Sequence, residues 1–478
     1  MRELIQKSKP ERRESRAERR EATRLDWAAP LWRDGSRRWQ LPPVLRDSDA
    51  DVVIVGAGLS GLWTAHHLKE LNPALDVMVV DARQPGFGAS GRNGGWCSAL
   101  FPVDLGDIAE RHGRETALRQ HEALVSAVAS IGGFIESRGI DAGWAHGGTL
   151  TVATNTAQKS RLESALRSRT ELGLDDHRWL EPDELGARVR VRGALGAVFD
   201  PHCAALNPQA LVDALVEAVS SAGVRVHGET KVVRTGPGYV ETSGPGGHCF
   251  VTARNVVLAA EAWNSSLPGR RRTSVPLYSY ALATEPVPAS TWDAIGWNGR
   301  ETLAEGRNMV TYAQRTSDGR VVFGGRGAPY AFASDIHSSR DVNDGVHRAV
   351  ERTMHELFPA LEGIRITHRW GGPLGVPRDW HPSVHQDSRS GVTVVGGYTG
   401  DGVALSWLSA LVAAHRITGT DHDVLGLPMN GHTPRRWEPE PLRWAGINAG
   451  LATTKLADAH ESRSGRESRL LRSMMRLF

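Results

Sequence analysis

Residues 51–96 read DVVIVGAGLSGLWTAHHLKELNPALDVMVVDARQPGFGASGRNGGW, and they carry the clearest fold signal in the chain. Residues 51–55 form a short apolar run rich in β-branched side chains, which predicts a buried parallel strand. Residues 62–71 have the apolar spacing of a helix, and Val77–Val80 predicts a second buried strand. The stretch therefore predicts a strand, a helix and a parallel strand in one βαβ unit.

Three glycines separate the first strand from the helix in the pattern Gly56-x-Gly58-x-x-Gly61. Gly56 permits the tight turn, Gly58 lets the backbone approach a pyrophosphate, and Gly61 lets the helix pack close to the strand. The N–H groups at the helix start, on Leu59 and Ser60, bind phosphate with the help of the helix dipole. In this context the pattern is the dinucleotide-binding fingerprint.

The fingerprint alone does not separate NAD from FAD, and the residues after the second strand favour FAD. Asp81, followed by Ala82, stands about 20 residues after the last glycine, where an acid accepts hydrogen bonds from ribose hydroxyls. A second loop, small, polar and rich in glycine, follows soon afterwards, as an extended FAD requires. The residues predicted to contact the cofactor in this loop are Gly88, Ala89, Ser90, Gly91, Arg92, Asn93, Gly94 and Gly95.

With these motifs the chain resembles the glycine oxidase and D-amino acid oxidase family of flavoproteins. Within that family it is most similar to the bacterial gamma-glutamylputrescine oxidoreductase and aminophosphonate oxidoreductase-like branch. The resemblance runs from about Trp32 to the C-terminus, and its most specific pieces are GAGLSGLWTA, GASGRNGGW and GGYTGDGVALS. It implies an α/β (α+β two-domain) fold in which an FAD-binding Rossmann-like βαβ domain is interleaved with an antiparallel-sheet substrate domain.

The resemblance also implies cofactor contacts further along the chain. Val232 holds the place of a valine that lends its backbone to adenine. A helix that opens near Tyr398 faces the flavin pyrimidine, and a helix N-terminus stabilises negative charge at N1 and C2=O of the reduced flavin. Arg92 stands where relatives with a histidyl-linked flavin carry the histidine, so the FAD is expected to be non-covalent. The residues predicted to contact the flavin at this helix are Gly400, Asp401, Gly402, Val403 and Ala404.

The reaction implied by the resemblance is oxidation of a C–N bond, with hydride transfer to flavin N5 and hydrolysis of the imine to a carbonyl and an amine. Glycine-oxidase-like enzymes place an arginine for the substrate α-carboxylate shortly after a Trp-x-Gly. Leu374 stands at that place here, after Trp370. Because a carboxylate loses much binding energy without its bidentate partner, this favours an amine without an α-carboxylate. Arg378, four residues later, substitutes for the missing arginine if the register is shifted.

Two further positions bear on the chemistry. Sarcosine-oxidase-like enzymes carry a lysine near flavin N5 and a histidine four residues later, and here Val322 and Arg326 stand at these places. The electron acceptor, O2 or another molecule, therefore stays open. Arg326 is either a binding group for an anionic part of the substrate or an arginine satisfied at a strand end. Together with Arg326, the predicted catalytic set contains Tyr398 and Trp370, as residues of the pocket wall.

Bulk properties exclude several classes of protein. The chain has 478 residues with a net charge of only +3, which gives no global argument for nucleic-acid binding. Cys97, Cys203 and Cys249 are too scattered for a disulfide framework or a zinc site, and the histidines show no metal spacing. Because this cysteine usage suits a reducing compartment, a cytoplasmic location is expected. The sequence has no apolar run of about 18 residues, so no transmembrane helix is expected. The strongly basic first 25 residues predict a solvated arm or a docking segment, for example in a homodimer.

The remaining pattern predicts a chain that alternates between the two domains. Residues 196–199 are expected to begin a return to the first domain, residues 239–252 to form a hairpin, and residues 255–260 to form another buried parallel strand. The predicted segments are a basic arm (1–30), FAD-binding parts (31–103, 196–272 and 366–428), substrate-domain parts (104–195 and 273–365) and a C-terminal helical extension (429–478).

Two rival functions stay open beside FAD-dependent oxidation of an amine. One is an oxidase of an α-amino acid or N-methyl amino acid, with Arg326 or Arg378 holding the carboxylate. The other is a non-catalytic flavin-binding subunit. The intact glycine-rich loop and the intact start of the flavin-facing helix argue against the second rival.

Overall fold

The computed structural model describes residues 28–471, so almost all of the predicted basic arm and the last seven residues of the extension lie outside the described residues. The helices, in chain order, are α1 (Leu59–Leu71), α2 (Leu105–His112), α3 (Arg114–Ser137), α4 (Thr156–Glu171), α5 (Pro182–Arg188), α6 (Pro208–Ser221), α7 (Ala289–Ile295), α8 (Asp344–Leu357), α9 (Gly402–Thr418) and α10 (Leu442–Ser464).

The strands fall into two large sheets and a small two-stranded one. In chain order they are β1 (Ser48–Val55), β2 (Val77–Val80), β3 (Trp96–Ser98), β4 (Thr149–Val152), β5 (Arg178–Leu180), β6 (Ala197–Asp200), β7 (Cys203–Ala205), β8 (Arg225–His227), β9 (Lys231–Gly236), β10 (Tyr239–Gly244), β11 (Gly247–Leu258), β12 (Val275–Thr284), β13 (Thr302–Glu305), β14 (Thr311–Arg315), β15 (Val321–Gly325), β16 (Ile366–Val376), β17 (Ser383–Gln386) and β18 (Thr393–Gly396).

The first sheet carries the predicted βαβ unit at its centre. Its strand order is β17-β18-β11-β1-β2-β8, and β1 is parallel to both β2 and β11. The β-branched run at the end of β1 is buried on both faces, as parallel strands require. Helices α1, α3, α6 and α9 contribute to one apolar core against this sheet. The turns that follow β1, β2, β11 and β18 therefore meet at one carboxyl edge, where α/β sheets bind ligands.

The second sheet has the order β16-β12-β15-β14-β13-β4-β6-β5 and is antiparallel except for the β13–β4 pair. β14 and β15 form an antiparallel hairpin across residues 316–319. A separate apolar core on this sheet includes Trp297 and Phe358, whose rings stack with centroids 5.4 Å apart. An α/β domain built on the predicted βαβ unit and an antiparallel domain are thus interleaved along the chain, which confirms the predicted fold class.

Two local predictions were wrong. β6 pairs with β4 and β5, so residues 196–199 belong to the second sheet and the return to the first domain comes later. β16 pairs with β12 along most of its length, so the segment from residue 366 also begins in the second sheet. The buried parallel strand predicted at residues 255–260 is present as the end of β11, which pairs with β10 and then, in parallel, with β1.

The C-terminal extension contains α10, which lies against the second domain. The Asp458 carboxylate accepts hydrogen bonds from the backbone N–H groups of Asn308 and Met309, each at 2.8 Å. Asn448 of the same helix bonds to the backbone of Tyr330. The extension therefore fixes two loops that follow β13 and β15. Among residues 28–471, no helix combines the length and the apolar character needed to cross a bilayer.

Candidate active site

A cavity of about 320 Å³ follows the carboxyl edge of the first sheet. Its lining residues come from the turns after β1, β2, β11 and β18, from the glycine-rich loop, and from the residues that lead into β9. Because the strand order is β8-β2-β1-β11-β18, Asp81 and Val232 lie toward one end and the start of α9 toward the other. The cavity is therefore an elongated cleft of the kind that holds an extended ligand.

Most of the residues predicted from the sequence to contact the cofactor line this cleft. Those that do are Gly56, Gly58, Leu59, Ser60, Asp81, Ala82, Gly88, Ala89, Ser90, Asn93, Val232, Gly400, Gly402 and Val403. The predicted residues that lie beside the cleft without lining it are Gly61, Gly91, Arg92, Gly94, Gly95, Asp401 and Ala404.

The glycines of the fingerprint stand where side chains would obstruct the backbone. A Cβ atom on Gly58, the residue just before α1, would lie 2.8 Å from the hydroxyl of Ser90. A Cβ atom on Gly61 would overlap the carbonyl oxygen of Gly56, and Gly56 itself has a φ of +111°. Gly58 thus leaves room at the start of α1, where the N–H of Leu59 donates to the hydroxyl of Ser90 at 2.9 Å, and the close packing of α1 on β1 depends on Gly61.

Asp81 holds the fingerprint turn in place. One carboxylate oxygen accepts a hydrogen bond from the N–H of Ala57 at 2.7 Å, and the other accepts from Arg83 at 2.8 Å. Burial raises the pKa of Asp81 to about 6, against the lowering effect of these two N–H groups. The acid therefore connects the end of β2 to the turn after β1, a role that the sequence pattern did not indicate.

Arg92 points away from the cleft and anchors the glycine-rich loop to the second domain. Its guanidinium pairs with buried Asp341 at 2.7 Å and donates to the carbonyl oxygens of Phe87 and Gly371. Gln314 donates to the carbonyl oxygen of Gly94 at 2.6 Å from the other side. The loop therefore lies between the two domains and contacts both, and only its cleft-facing half lines the cavity.

Trp370 is not part of the cleft wall, which corrects the prediction made from the sequence. Its side chain is fully buried in a cluster that also contains Trp32 and Val322. The indole N–H donates to the carbonyl oxygen of Arg92 at 2.9 Å, and that of Trp32 donates to Asn93 at 2.8 Å. The alternation of β16 directs Trp370 behind the glycine-rich loop, so it supports the loop instead of touching a ligand.

At the far end of the cleft, Tyr398 and Arg326 meet the start of α9. The hydroxyl of Tyr398 lies 2.8 Å from that of Ser60, which joins the N-terminal turns of α1 and α9. Arg326 donates to the carbonyl oxygen of Thr399, a residue with a φ of +56°. Its guanidinium lies so close to Gly400 that a Cβ atom there would be 2.5 Å away. Tyr398 lines the cleft, whereas Arg326 braces the turn from behind.

The N-terminus of α9 faces the cleft, and its first N–H groups have no side-chain cap. The side chain of Asp401 makes no capping hydrogen bond, so it leaves the first N–H groups of the helix uncapped. Burial raises the pKa of Asp401 to about 6, and the charge of Arg326 opposes this shift. Because α1 also begins at the cleft, two helix dipoles present their positive ends to the same cavity.

Glu261 is a cleft residue whose side-chain role the sequence did not reveal. It follows β11, has a φ of +46°, and accepts a hydrogen bond from the N–H of Gly397 at 3.2 Å. Burial raises the pKa of Glu261 to about 7, against the effect of backbone N–H groups including those of Gly397 and Gly375. The carboxyl group thus links the turns after β11 and β18, and no local pattern in the sequence signals such a link.

These residues fit an FAD molecule. The glycine cradle and the start of α1 suit a pyrophosphate, Asp81 suits a ribose, and the second helix N-terminus suits the electron-rich side of a flavin. The cleft connects all three features in the order in which FAD would present them.

Comparison with known proteins gives the same assignment. Residues 51–416 match the family model described as "DAO: FAD dependent oxidoreductase". The chain is 26% identical to the probable oxidoreductase OrdL of Haemophilus influenzae, over 80% of this chain and 86% of that protein. It is 28% identical to the gamma-glutamylputrescine oxidoreductase of Escherichia coli (strain K12), over 77% and 84% respectively. The crystal structure of glycine oxidase from Geobacillus kaustophilus superposes with a TM-score of 0.63 at 22% identity, over 80% of this chain and 99% of that chain.

Proposed function

This chain belongs to the DAO family of FAD-dependent oxidoreductases, enzymes that act on amines and amino acids, and we propose that it oxidises the C–N bond of an amine that lacks an α-carboxylate. Similarity to a gamma-glutamylputrescine oxidoreductase supports the amine class. The observation that carries the proposal is Leu374, which lines the flavin end of the cleft, 3.9 Å from the position of a Cβ atom on Gly400.

The charge distribution along the cleft supports the same substrate class. Among the described residues that line it, the cationic side chains are Arg83 and Lys231, and both lie near Asp81 at the adenosine end. An α-carboxylate at the flavin end would face Leu374 and the phenol ring of Tyr398. A buried carboxylate without a charged partner is unfavourable, so a substrate without this group is preferred.

The shifted-register alternative is less favourable. Arg378 pairs with Glu438 of the C-terminal extension, with its Nε 3.0 Å from one carboxylate oxygen, and it lies over the ring of Trp437. An arginine held in this way would have to leave both partners before it held a substrate carboxylate. Arg326 lies nearer to the flavin end, with its guanidinium beside Gly400, but it donates to the carbonyl oxygen of Thr399 and does not line the cleft. The rival activity on α-amino or N-methyl amino acids would require it to leave that partner.

Each part of the cleft has a task in the proposed reaction. FAD, when bound, supplies the hydride acceptor. The uncapped N–H groups of α9 stabilise negative charge at the flavin, and Arg326 holds the Thr399 turn that positions this helix. Leu374 excludes water from the reacting carbon. The side chains near the reacting carbon need not take a proton if the amine binds in its neutral form.

We further propose that the FAD is bound without a covalent link through position 92. Arg92, which stands where some relatives carry the linking histidine, is turned toward Asp341. The acceptor that reoxidises the enzyme is O2 or another molecule. Val322, in the place of the lysine of sarcosine-oxidase-like enzymes, is buried in an apolar cluster and carries no charge toward the cleft.

The test is anaerobic reduction of the purified enzyme's FAD, followed at its visible absorbance, with a panel of polyamine-like amines, phosphonate amines and α-amino acids. Bleaching by an amine without an α-carboxylate is the expected result. Bleaching by α-amino acids alone would overturn the assignment, and bleaching by none would favour the non-catalytic subunit. Admitting air afterwards separates an oxidase, which recovers rapidly, from a dehydrogenase.

Leu374→Arg adds a second arm to this test. A guanidinium at this position should shift the ratio of kcat/KM for α-amino acids over amines by about tenfold or more, because a charge-assisted hydrogen bond contributes about 1.5–3 kcal/mol. Leu374→Met, which keeps the volume and adds no charge, is the matched control and should leave the ratio unchanged.

A further inference from the structure

We propose that this protein has a second ligand site, away from the cofactor cleft, which binds one divalent transition-metal ion of the zinc type through His121, Asp176 and His202. The three side chains each offer a ligand atom, and these atoms all lie within 4.8 Å of one another. His121 comes from α3, Asp176 from the loop before β5, and His202 from the turn between β6 and β7. Three distant segments thus converge on one point.

The strongest evidence for a ligand is the state of His121. Its side chain is only 3% exposed, and its Nε2 is buried without a hydrogen-bond partner. Buried ring nitrogens are nearly always satisfied, so an unpartnered one indicates an unseen ion or water. The ring of His121 meets that of His202 edge-on, with centroids 5.7 Å apart. The Nε2 atom of His202 is hydrogen-bonded to Asp176, so an ion at this point would replace that contact and give the unpartnered Nε2 of His121 a partner.

The residues around the three ligands form hydrogen bonds that hold the ligands in place. His177 lies with its Nδ1 2.6 Å from one oxygen of Asp176 and its Nε2 3.1 Å from Asp200. Hydrogen bonds of this kind fix the orientation of a ligating carboxylate. His202 is oriented by a hydrogen bond from its own backbone N–H to Asp200 at 2.8 Å. The site is therefore supported on the side of the second sheet.

The local charge also favours a cation. Two carboxylates, Asp176 and Asp200, lie at the cluster, and His177 is within reach of both. Their two negative charges would offset the charge of a divalent ion.

The ligand types select the class of metal. Two imidazoles and one carboxylate suit Zn²⁺ and neighbouring first-row ions, whereas Ca²⁺ and Mg²⁺ prefer oxygen donors alone. His121 is buried, His202 is half-buried and Asp176 is exposed, so the remaining coordination position would face water. The ion would therefore be exchangeable from solvent.

The position of the site indicates a structural role. The backbone carbonyl of His202 accepts a hydrogen bond from Ala99 at 3.0 Å, directly beyond β3, and β3 follows the glycine-rich cofactor loop. β7, which begins at Cys203, pairs with β3. An ion bound by His121 and His202 would thus link α3 to the region where the two domains meet. This role does not depend on the identity of the amine substrate.

The test uses the full-length, untagged holoenzyme, treated with a chelator, desalted and titrated with Zn²⁺ alone. Bound zinc is measured by mass spectrometry after desalting, and affinity by competition with a chromogenic chelator. One equivalent per chain is expected, with the flavin content unchanged. Since the loss of an outer partner alone weakens metal binding by about 10–100-fold, His202→Ala and Asp176→Asn should weaken zinc binding by about 100-fold.

His248→Ala is the matched control. This exposed histidine pairs with Glu241 at 3.2 Å, so it offers the same residue types without a third ligand. Zinc should raise the Tm of the wild type and of this control, and leave the Tm of His202→Ala unchanged. Absence of stoichiometric zinc in the wild type would overturn the proposal. So would full affinity in both ligand variants, whose flavin absorbance reports that they are folded.

Discussion

The hydroxyl groups of Ser60 and Tyr398 lie 2.8 Å apart and join the first turn of α1 to the turn that precedes α9. The two residues are 338 positions apart in the chain, and both are buried at the wall of the cofactor cleft. This contact places the two helix N-termini against the same ligand. It is the point at which the fingerprint and the flavin-facing helix become one binding site.

The Ser60–Tyr398 contact should appear as a coupling energy. Ser60→Ala and Tyr398→Phe each leave a buried hydroxyl without this partner, so each should lower the free energy of unfolding by about 1 kcal/mol. The double variant should lose less than the sum, with a coupling of about 0.5–1.5 kcal/mol. Urea unfolding of the four proteins measures it, and strict additivity would show that the hydroxyls do not interact.

The Arg92–Asp341 pair should be far more sensitive to the loss of one partner than of both. Arg92→Met leaves the carboxylate of Asp341 buried without its cation and should cost about 3–5 kcal/mol. It should also weaken FAD binding, because Arg92 anchors the glycine-rich loop. Arg92→Met with Asp341→Leu removes both charges and should recover part of the stability. A single variant as stable as the wild type would contradict the buried pairing.

Gly61→Ala should abolish FAD binding, because its methyl group would overlap the carbonyl oxygen of Gly56. The flavin content of the purified protein measures the effect. Gly450→Ala, within α10, is the matched control, since no atom lies within 4 Å of its added Cβ. The control should keep its FAD and gain about 0.5–1 kcal/mol of stability from helix propensity. Equal flavin content in both variants would refute the close-packing argument.

His381 should contribute to loss of stability in acid. Burial, with the nearby charge of His432, lowers the pKa of His381 to about 4. In the unfolded chain a histidine titrates near pH 6.5, so unfolding takes up a proton between about pH 4 and pH 6.5. The contribution of His381 to the free energy of unfolding is fully present above this pH range. It falls by about 1.4 kcal/mol per pH unit as the pH drops through the range.

Replacement of His381 by asparagine should remove this slope. Urea unfolding at several pH values measures the difference in free energy between wild type and variant. The difference should change between about pH 4 and pH 6.5 and become constant above about pH 7. A difference that is the same at every pH would show that His381 does not titrate in this way.

Much of the cofactor site was predictable because its signals are local. The glycines at 56, 58 and 61 and the acid at 81 act within one βαβ unit, and their spacing follows from the geometry of one strand and one helix. The resemblance placed Leu374 where relatives carry an arginine for the substrate carboxylate, and in the structure Leu374 lines the cleft. Trp370, in the same strand, was misassigned because the face it occupies depends on the pairing of β16 with β12.

The fingerprint and the glycine-rich loop, and hence the FAD-dependent family, could be recognised from the sequence, since these depend on short-range backbone geometry. Three contacts became visible with the folded chain: Arg92 turns toward Asp341, Glu261 bridges two turns, and His121 meets His202. Each of these contacts joins residues far apart in the chain. Their distances are set by how two interleaved sheets pack, and no periodicity in the sequence encodes that packing.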